Sequence, residues 1–151
     1  MVASFFFVIV SFAQEVEKKD FEITSHKVRI QLVPSSQEII CSDTVTVRLL
    51  NNKAKSIEFG LAPFFKLKEV WLNGEDADYE RTKGEVKLED IPDTVFDVVF
   101  EYEARMNFRT EYSNIGPERA VLRDEEILPR GNRNVKNARF TIEVPSDWEA
   151  I

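Results

Sequence analysis

The chain has 151 residues, of which 43% are hydrophobic and 31% are charged. This length and composition favour one globular domain with its own core, and the twelve Phe predict that the core is rich in aromatic side chains. The formal net charge of −7 would repel phosphate backbones, and no Lys/Arg run is interleaved with aromatic residues. Composition therefore excludes nucleic acid as an expected partner.

The first thirteen residues have the pattern of a signal peptide. Residues 5–10 are all apolar, Ser11-Phe12-Ala13 has a small residue at each end, and a polar segment follows over 14–20. The apolar run is too short to span a bilayer as a helix. We predict cleavage between Ala13 and Gln14 and export to the periplasm or the medium. The N-terminal region lacks the usual Lys or Arg, and a hydrophobic first strand is the alternative.

From Phe21 the apolar residues fall on every second position, which is typical of strands with one buried face. Segments 28–32 and 39–49 alternate in this way on either side of Pro34-Ser35-Ser36. A turn of this composition predicts a β-hairpin between them, with Val45 and Val47 directed inward.

Segments 56–61 and 67–72 form a second predicted pair of strands, followed directly by Asn73-Gly74. Asn-Gly is a strong hairpin signal because both residues tolerate positive φ, so we expect Tyr79 and its neighbours to return beside Trp71. The longest predicted strand covers 95–104. Its apolar face consists of Phe96, Val98, Phe100 and Tyr102.

Between Phe21 and Arg105 no long stretch has a period near 3.6, so helix is not expected there. The pattern predicts an all-β fold, either an antiparallel β-sandwich or a curved sheet, as a single domain over 21–151. Residues 107–137 lack alternation and should form a long irregular connection before a final strand at 140–144. Such long connections usually serve a function or an interface.

The single His and the single Cys do not suggest a catalytic pair. His26 could titrate near neutral pH, although a polar residue at a strand edge is the favoured interpretation. Cys41 lies beside Ile39 and Ile40, where a thiol usually behaves as a small core side chain rather than a nucleophile. A lone cysteine also rules out an internal disulfide.

Three other groups are candidates for function. Asp124-Glu125-Glu126 could form half of a metal or general-acid site, but a solvated turn is the commoner case. Phe64, Phe65 and Trp71 could line a binding face, although core packing is favoured. The arginines from Arg105 to Arg139 could bind a carboxylate or a partner domain, or simply belong to a charged loop.

The succession of segments resembles the N-terminal β "saddle" domain of the aminopeptidase N-like zinc metallopeptidases, in particular their divergent bacterial relatives. The resemblance extends from Phe21 to the end of the chain. It rests on the order of five segments: the strand pair that opens at 26–34, the strand at 56–59, Val70-Trp71-Leu72-Asn73-Gly74, the strand ending in Glu101-Tyr102-Glu103-Ala104, and residues 139–148.

This resemblance implies that the chemistry belongs to a following helical domain, where a His-Glu-x-x-His helix and a further Glu hold zinc. A chain with one His cannot supply that motif. Ile127-Leu128-Pro129 is the nearest counterpart of the family's anchoring segment, and the amine-binding Glu has no matching position. The sequence therefore assigns no catalytic, cofactor-binding or metal residue to this chain.

Two functions of different class follow from the sequence. In the first, the chain is the non-catalytic N-terminal domain of an exported metallopeptidase, where it supports the catalytic domain and covers one side of the peptide cleft. Zinc and peptide substrate would then belong to the full-length parent. In the second, it is a stand-alone exported β-sandwich module that binds a protein or a carbohydrate through its aromatic and arginine-bearing loops.

Overall fold

A computed structural model describes residues 20–92, 94–106, 113–116, 119–131, 137–146 and 148. The predicted signal peptide, its cleavage site and most of the polar segment after it lie outside these residues. The described part consists almost entirely of strands, so the all-β prediction is confirmed. The strands are β1 (Phe21–Val33), β2 (Glu38–Leu49), β3 (Ser56–Gly60), β4 (Lys66–Leu72), β5 (Glu75–Asp76), β6 (Tyr79–Arg81), β7 (Glu85–Glu89), β8 (Val95–Arg105), β9 (Asn114–Ile115), β10 (Ala120–Val121) and β11 (Ala138–Glu143), with one helical turn, α1 (Asp124–Ile127).

Six strands form the large sheet, in the order β11-β1-β2-β8-β4-β5. Its centre is the predicted β1–β2 hairpin, which turns through Pro34 to Gln37, where Gln37 has a φ of 55°. Val45 and Val47 are fully buried, as their alternation predicts. Strand β8 pairs antiparallel with both β2 and β4, and its four predicted inward residues are all buried.

The predicted pairing of the third and fourth strands is wrong. Strand β3 pairs with β7 in a separate three-stranded sheet of order β3-β7-β6, whereas β4 joins the large sheet beside β8. Strand β3 alternates as predicted, whereas β4 buries only Val70 and has an irregularity between Leu67 and Glu69. Alternation in a sequence predicts a buried face and does not specify the partner strand. The two sheets can therefore share one core without β3 and β4 touching along their edges.

Asn73-Gly74 forms the predicted hairpin turn, with φ angles of 50° and 88°. The returning strand is very short, and Asp76 is the residue opposite Trp71. Tyr79 was expected there, but it pairs with Leu88 in the small sheet. Asn73-Gly74 thus predicted the chain reversal correctly, but it did not predict which residues pair with Trp71 after the turn.

Aromatic side chains join the two sheets. The ring of Phe59 on β3 packs 5.2 Å from Phe21 and 5.0 Å from Phe100, measured between centroids, so it bridges two strands of the large sheet. Phe65 packs edge-on against Tyr102 at 4.8 Å. Such edge-to-face arrangements are favoured by the ring quadrupole. The predicted aromatic core is therefore the contact between the layers.

The connection before the last strand contains several short elements. Strands β9 and β10 pair with each other, α1 follows, and Arg130 makes an isolated antiparallel bridge with Gly60. Two backbone hydrogen bonds of 2.8 and 2.7 Å hold this bridge. The predicted final strand is present as β11, but it runs parallel to β1. In the described residues, no helix is long and apolar enough to cross a membrane.

Candidate functional site

His26 occupies the middle of β1, and this corrects its predicted place at a strand edge. Its side chain is buried on the core face of the large sheet, and Nδ1 lies 2.6 Å from Oδ2 of Asp43 on β2. The register pairs His26 with Val45 and Asp43 with Val28, so the two polar side chains are diagonal neighbours across the hairpin. Such diagonal pairs are within reach of long side chains. The contact is thus a direct result of the β1–β2 pairing.

Asp43 is the polar residue that the sequence interpretation missed. It is fully buried, and its second oxygen, Oδ1, has no hydrogen-bond partner among the described residues. Burial raises the pKa of this carboxyl, although the hydrogen bond and the charge of His26 act in the opposite direction. A signal was present in the sequence, because His26 is in phase with Val28 and Asp43 is in phase with Val45.

Cys41 and Tyr102 lie next to this pair in the core. The two residues are directly opposite each other in the β2–β8 register, and both are buried. Burial, helped by the charge of Asp43, raises the pKa of the Cys41 thiol to about 12, and a hydrogen bond with Tyr102 opposes the shift. A thiol with such a pKa stays protonated at neutral pH. The prediction that Cys41 is a core side chain is confirmed.

The Tyr102 hydroxyl holds the last residue of α1. It donates a hydrogen bond of 2.8 Å to the carbonyl oxygen of Ile127, in a fully buried environment. The backbone NH of Arg123 is held in turn by the hydroxyl oxygen of the buried Ser113, at 2.9 Å. The Tyr102–Ile127 hydrogen bond therefore holds the connection between β8 and β11 against the large sheet, and the Ser113–Arg123 hydrogen bond holds it internally.

This cluster does not have the composition of a metal or nucleophile site. Across the described ranges, no group of three or more His, Cys, Asp or Glu side chains could hold a metal ion. His26 and Asp43 offer two donors inside a packed core, whereas a zinc site needs at least three protein ligands. The arrangement therefore orders the β1–β2 hairpin and offers no open position to a substrate.

The remaining sequence candidates are dispersed. Asp124-Glu125-Glu126 falls on α1, and the side chains of its first two residues lie outside the described part. Phe65 is buried, while Phe64 and Trp71 are partly buried, so Phe65 meets the core-packing prediction in full. Of the arginines, Arg109 and Arg133 are also outside the described residues. Arg123, Arg130 and Arg139 are exposed, and Arg105 donates a hydrogen bond to the Ser36 carbonyl.

A cleft of about 620 Å³ lies beside β3, the terminal strand of the small sheet. It is lined by Asp20, Glu58, Glu85 and the Gly60–Arg130 bridge, among others, and most of its lining is polar. Neither His26 nor Asp43 contributes to it. The buried polar cluster and the open cleft are thus separate features.

The outer edge of the large sheet carries exposed apolar side chains. Every side chain of β11 is exposed, including Phe140 at 41% and Ile142 at 49%. The residues opposite them on β1, Val28 and Ile30, are only 3% and 1% exposed. The apolar face of the sheet thus continues beyond the part that the small sheet and the connecting loops cover.

Comparison with known proteins identifies the fold. No protein-family profile matches the sequence, and no curated protein is significantly similar to it. Among solved structures, an M1 zinc metallopeptidase from Deinococcus radiodurans, crystallised with the substrate Tyr-Ser-Ala, is similar at a TM-score of 0.63 and 13% identity. The match covers 82% of this chain and 32% of that one.

Aminopeptidase A from Legionella pneumophila is similar at a TM-score of 0.54 and 16% identity, over 64% of this chain and 13% of that one. The chain thus spans about a third or less of the length of these structures. At such low sequence identities, structural similarity shows the fold and does not show the activity. The resemblance predicted from the sequence is confirmed at that level: the chain has a β-rich fold found in M1 zinc metallopeptidases, consistent with the N-terminal domain of an aminopeptidase N-like protein.

Proposed function

We propose that this chain is the non-catalytic N-terminal β domain of an exported, aminopeptidase-like zinc metallopeptidase. In this role it supports a catalytic domain and forms one side of the peptide cleft. The observation that carries the proposal is the fold match, which takes in 82% of this chain but only 32% of the Deinococcus enzyme. The match leaves out the larger part of such an enzyme, and we expect zinc to be bound in that part.

The described His, Asp and Cys side chains of the core have structural roles. The buried pair of His26 and Asp43 and the raised pKa of Cys41 are properties of a packed core.

The apolar run at 5–10 and the small residues before Gln14 support export. Expression in a bacterium, followed by N-terminal sequencing of the exported protein, tests this part. A mature terminus at Gln14 is expected, and retention of residues 1–13 on cytoplasmic protein would contradict it.

The non-catalytic role is tested with the purified chain. Zinc content after equilibration and dialysis should be well below one ion per chain, and no aminoacyl substrate should be hydrolysed. Chelator-sensitive hydrolysis by the chain would overturn the proposal.

The coding sequence downstream of the Ile151 codon provides an independent test. An open frame with His-Glu-x-x-His and a later Glu is expected, whereas an immediate stop codon leaves a stand-alone binding module.

A further inference from the structure

Asn73-Gly74 is the single Asn-Gly pair in the sequence, and both residues are exposed at the turn between β4 and β5. The side-chain amide of an Asn can be attacked by the backbone nitrogen of the next residue. This attack is easiest before a Gly, because Gly has no Cβ to hinder the approach. The turn therefore places a chemically reactive pair in contact with water.

The side chain of Asn73 is bound to the neighbouring strand β8. The backbone NH of Asn73 donates to the Asp97 carbonyl at 2.9 Å, and the Asp97 NH donates to Oδ1 of Asn73 at 3.0 Å. The two residues of a hydrogen-bonded antiparallel pair normally exchange both bonds through the backbone. Here the side-chain oxygen accepts the second bond in place of the Asn73 backbone carbonyl. The side-chain amide is thus held toward β8.

The attacking nitrogen belongs to the other side of the hairpin. In the large sheet, β8 and β5 flank β4 on opposite sides, and Gly74 leads into β5. Closure of a ring between Cγ of Asn73 and the nitrogen of Gly74 therefore requires the Asn73 side chain to release the Asp97 NH and turn toward β5. The paired hairpin holds the two reacting atoms apart.

We propose that Asn73 is a site of spontaneous deamidation, which pairing with Asp97 blocks in the closed β4–β5 hairpin and which becomes reactive when the hairpin opens. This inference goes beyond the proposed function and does not depend on it. The reaction needs water and no other reactant. Local opening of a hairpin is cheaper than unfolding of the core, so the site can react while the chain remains folded elsewhere.

The chemistry has two steps. In the open hairpin, the Gly74 nitrogen loses its proton to solvent and attacks Cγ of Asn73. The bond from Cγ to Nδ2 then breaks, the amide nitrogen leaves as ammonia, and a five-membered succinimide remains. Water opens the ring at either of its two carbonyl carbons. The product is an aspartate or an isoaspartate at position 73.

Either product weakens the closed hairpin. An isoaspartate carries the main chain through the side-chain carbon, which adds one backbone atom to the two-residue turn between Leu72 and Glu75. An aspartate places a negative charge beside Asp97, and like charges that face each other across strands are destabilising. Opening of the hairpin is therefore recorded as a permanent change of charge and mass.

The first test compares the folded chain with a peptide of residues 68–80 at neutral pH, by digestion and mass spectrometry. The peptide has the same local sequence but lacks β8. We expect Asn73 to react on the order of 10- to 100-fold more slowly in the chain, because both hydrogen bonds with Asp97 must break first. Asn52, which is exposed and precedes Lys53, is the internal control and should remain unmodified. Reaction of the folded chain at the rate of the peptide overturns the proposal.

The second test removes the donor. Asp97→Pro lacks the NH that binds Asn73, and the preceding Phe96 already has the extended conformation that a proline requires. This NH is directed to Asn73, away from β2. Asp97→Ala is the matched control, because it keeps the NH and removes only the carboxylate that accepts from Thr46. D97P should deamidate close to the rate of the peptide and D97A as slowly as the wild type. Equal rates in the two variants overturn the role of the NH.

A third measurement decides the outcome if circular dichroism shows that D97P does not fold. The rate of deamidation of the wild type is then followed in increasing urea. We expect the rate to rise below the global unfolding transition, since opening of β4–β5 exposes only a small part of the chain. A rate that stays constant until the whole chain unfolds means that the hairpin does not open by itself, and it overturns the proposal.

Discussion

The imidazole Nδ1 of His26 lies 2.6 Å from Oδ2 of Asp43, and both side chains are buried between the two sheets. Removing two such groups from water is costly, and their mutual attraction does not always compensate for it. A buried pair is therefore a weak source of stability, but the loss of one partner leaves the other without compensation. This asymmetry can be measured here, since each group has the other as its buried partner.

Replacement of one member of the pair should be more damaging than replacement of both. We expect His26→Leu to lower the free energy of unfolding by about 3 kcal/mol, because the Asp43 carboxyl would remain buried without its hydrogen bond. The double variant H26L/D43V should recover most of this loss, since both groups become apolar. Urea unfolding of the four proteins of the cycle measures the coupling. Additive losses would show that the two side chains do not stabilise one another.

The raised pKa of Asp43 predicts a pH dependence with a definite sign. A carboxyl whose pKa is higher in the folded chain binds its proton more tightly when folded, so protonation stabilises the fold. This contribution is complete below the unfolded pKa, near 3.8, and is lost as pH rises through the folded value. The stability of the wild type relative to Asp43→Asn should therefore decrease as pH rises from about 3.8. Urea unfolding of both proteins over this range measures the difference, and a difference that increases with pH contradicts the prediction.

The positions of His26 and Asp43 could be predicted from alternation, but their contact could not. Each residue occupies an inward position of its own strand, in phase with valines that are buried. The contact also depends on the hairpin register, which the turn from Pro34 to Gln37 determines. Polar residues at inward positions of two paired strands are thus a usable signal for a buried pair.

Beyond the first hairpin, the sequence does not predict which strands pair. The alternating apolar residues of both segments predict strands, but they do not indicate that β3 pairs with β7 and β4 with β8. The parallel addition of β11 to β1 depends on a long connection whose path no local pattern specifies. Alternation also could not indicate that the apolar residues of β11 would remain exposed, because exposure depends on what covers the sheet.

Cys41 should be inert toward thiol reagents while the chain is folded. It is fully buried, and its pKa of about 12 leaves almost no thiolate near pH 8. Labelling with a disulfide reagent should therefore proceed at the rate at which the chain opens, and it should become fast in denaturant. An exposed control thiol introduced by Lys53→Cys should react at once. Rapid labelling of Cys41 in the native protein would contradict the packing described.

Tyr102→Phe tests how the connecting loop is held on the sheet. The variant keeps the ring that packs against Phe65, but it removes the hydroxyl that donates to the Ile127 carbonyl at 2.8 Å. A buried carbonyl without its donor should reduce the free energy of unfolding by about 1–3 kcal/mol. Because the bond joins β8 to the last residue of α1, limited proteolysis should also cleave residues 119–131 sooner. Tyr79→Phe, at a 38% exposed tyrosine, is the matched control and should change stability by less than about 0.5 kcal/mol. Equal stability and equal proteolysis of the two variants would mean that the loop is held by its apolar contacts alone.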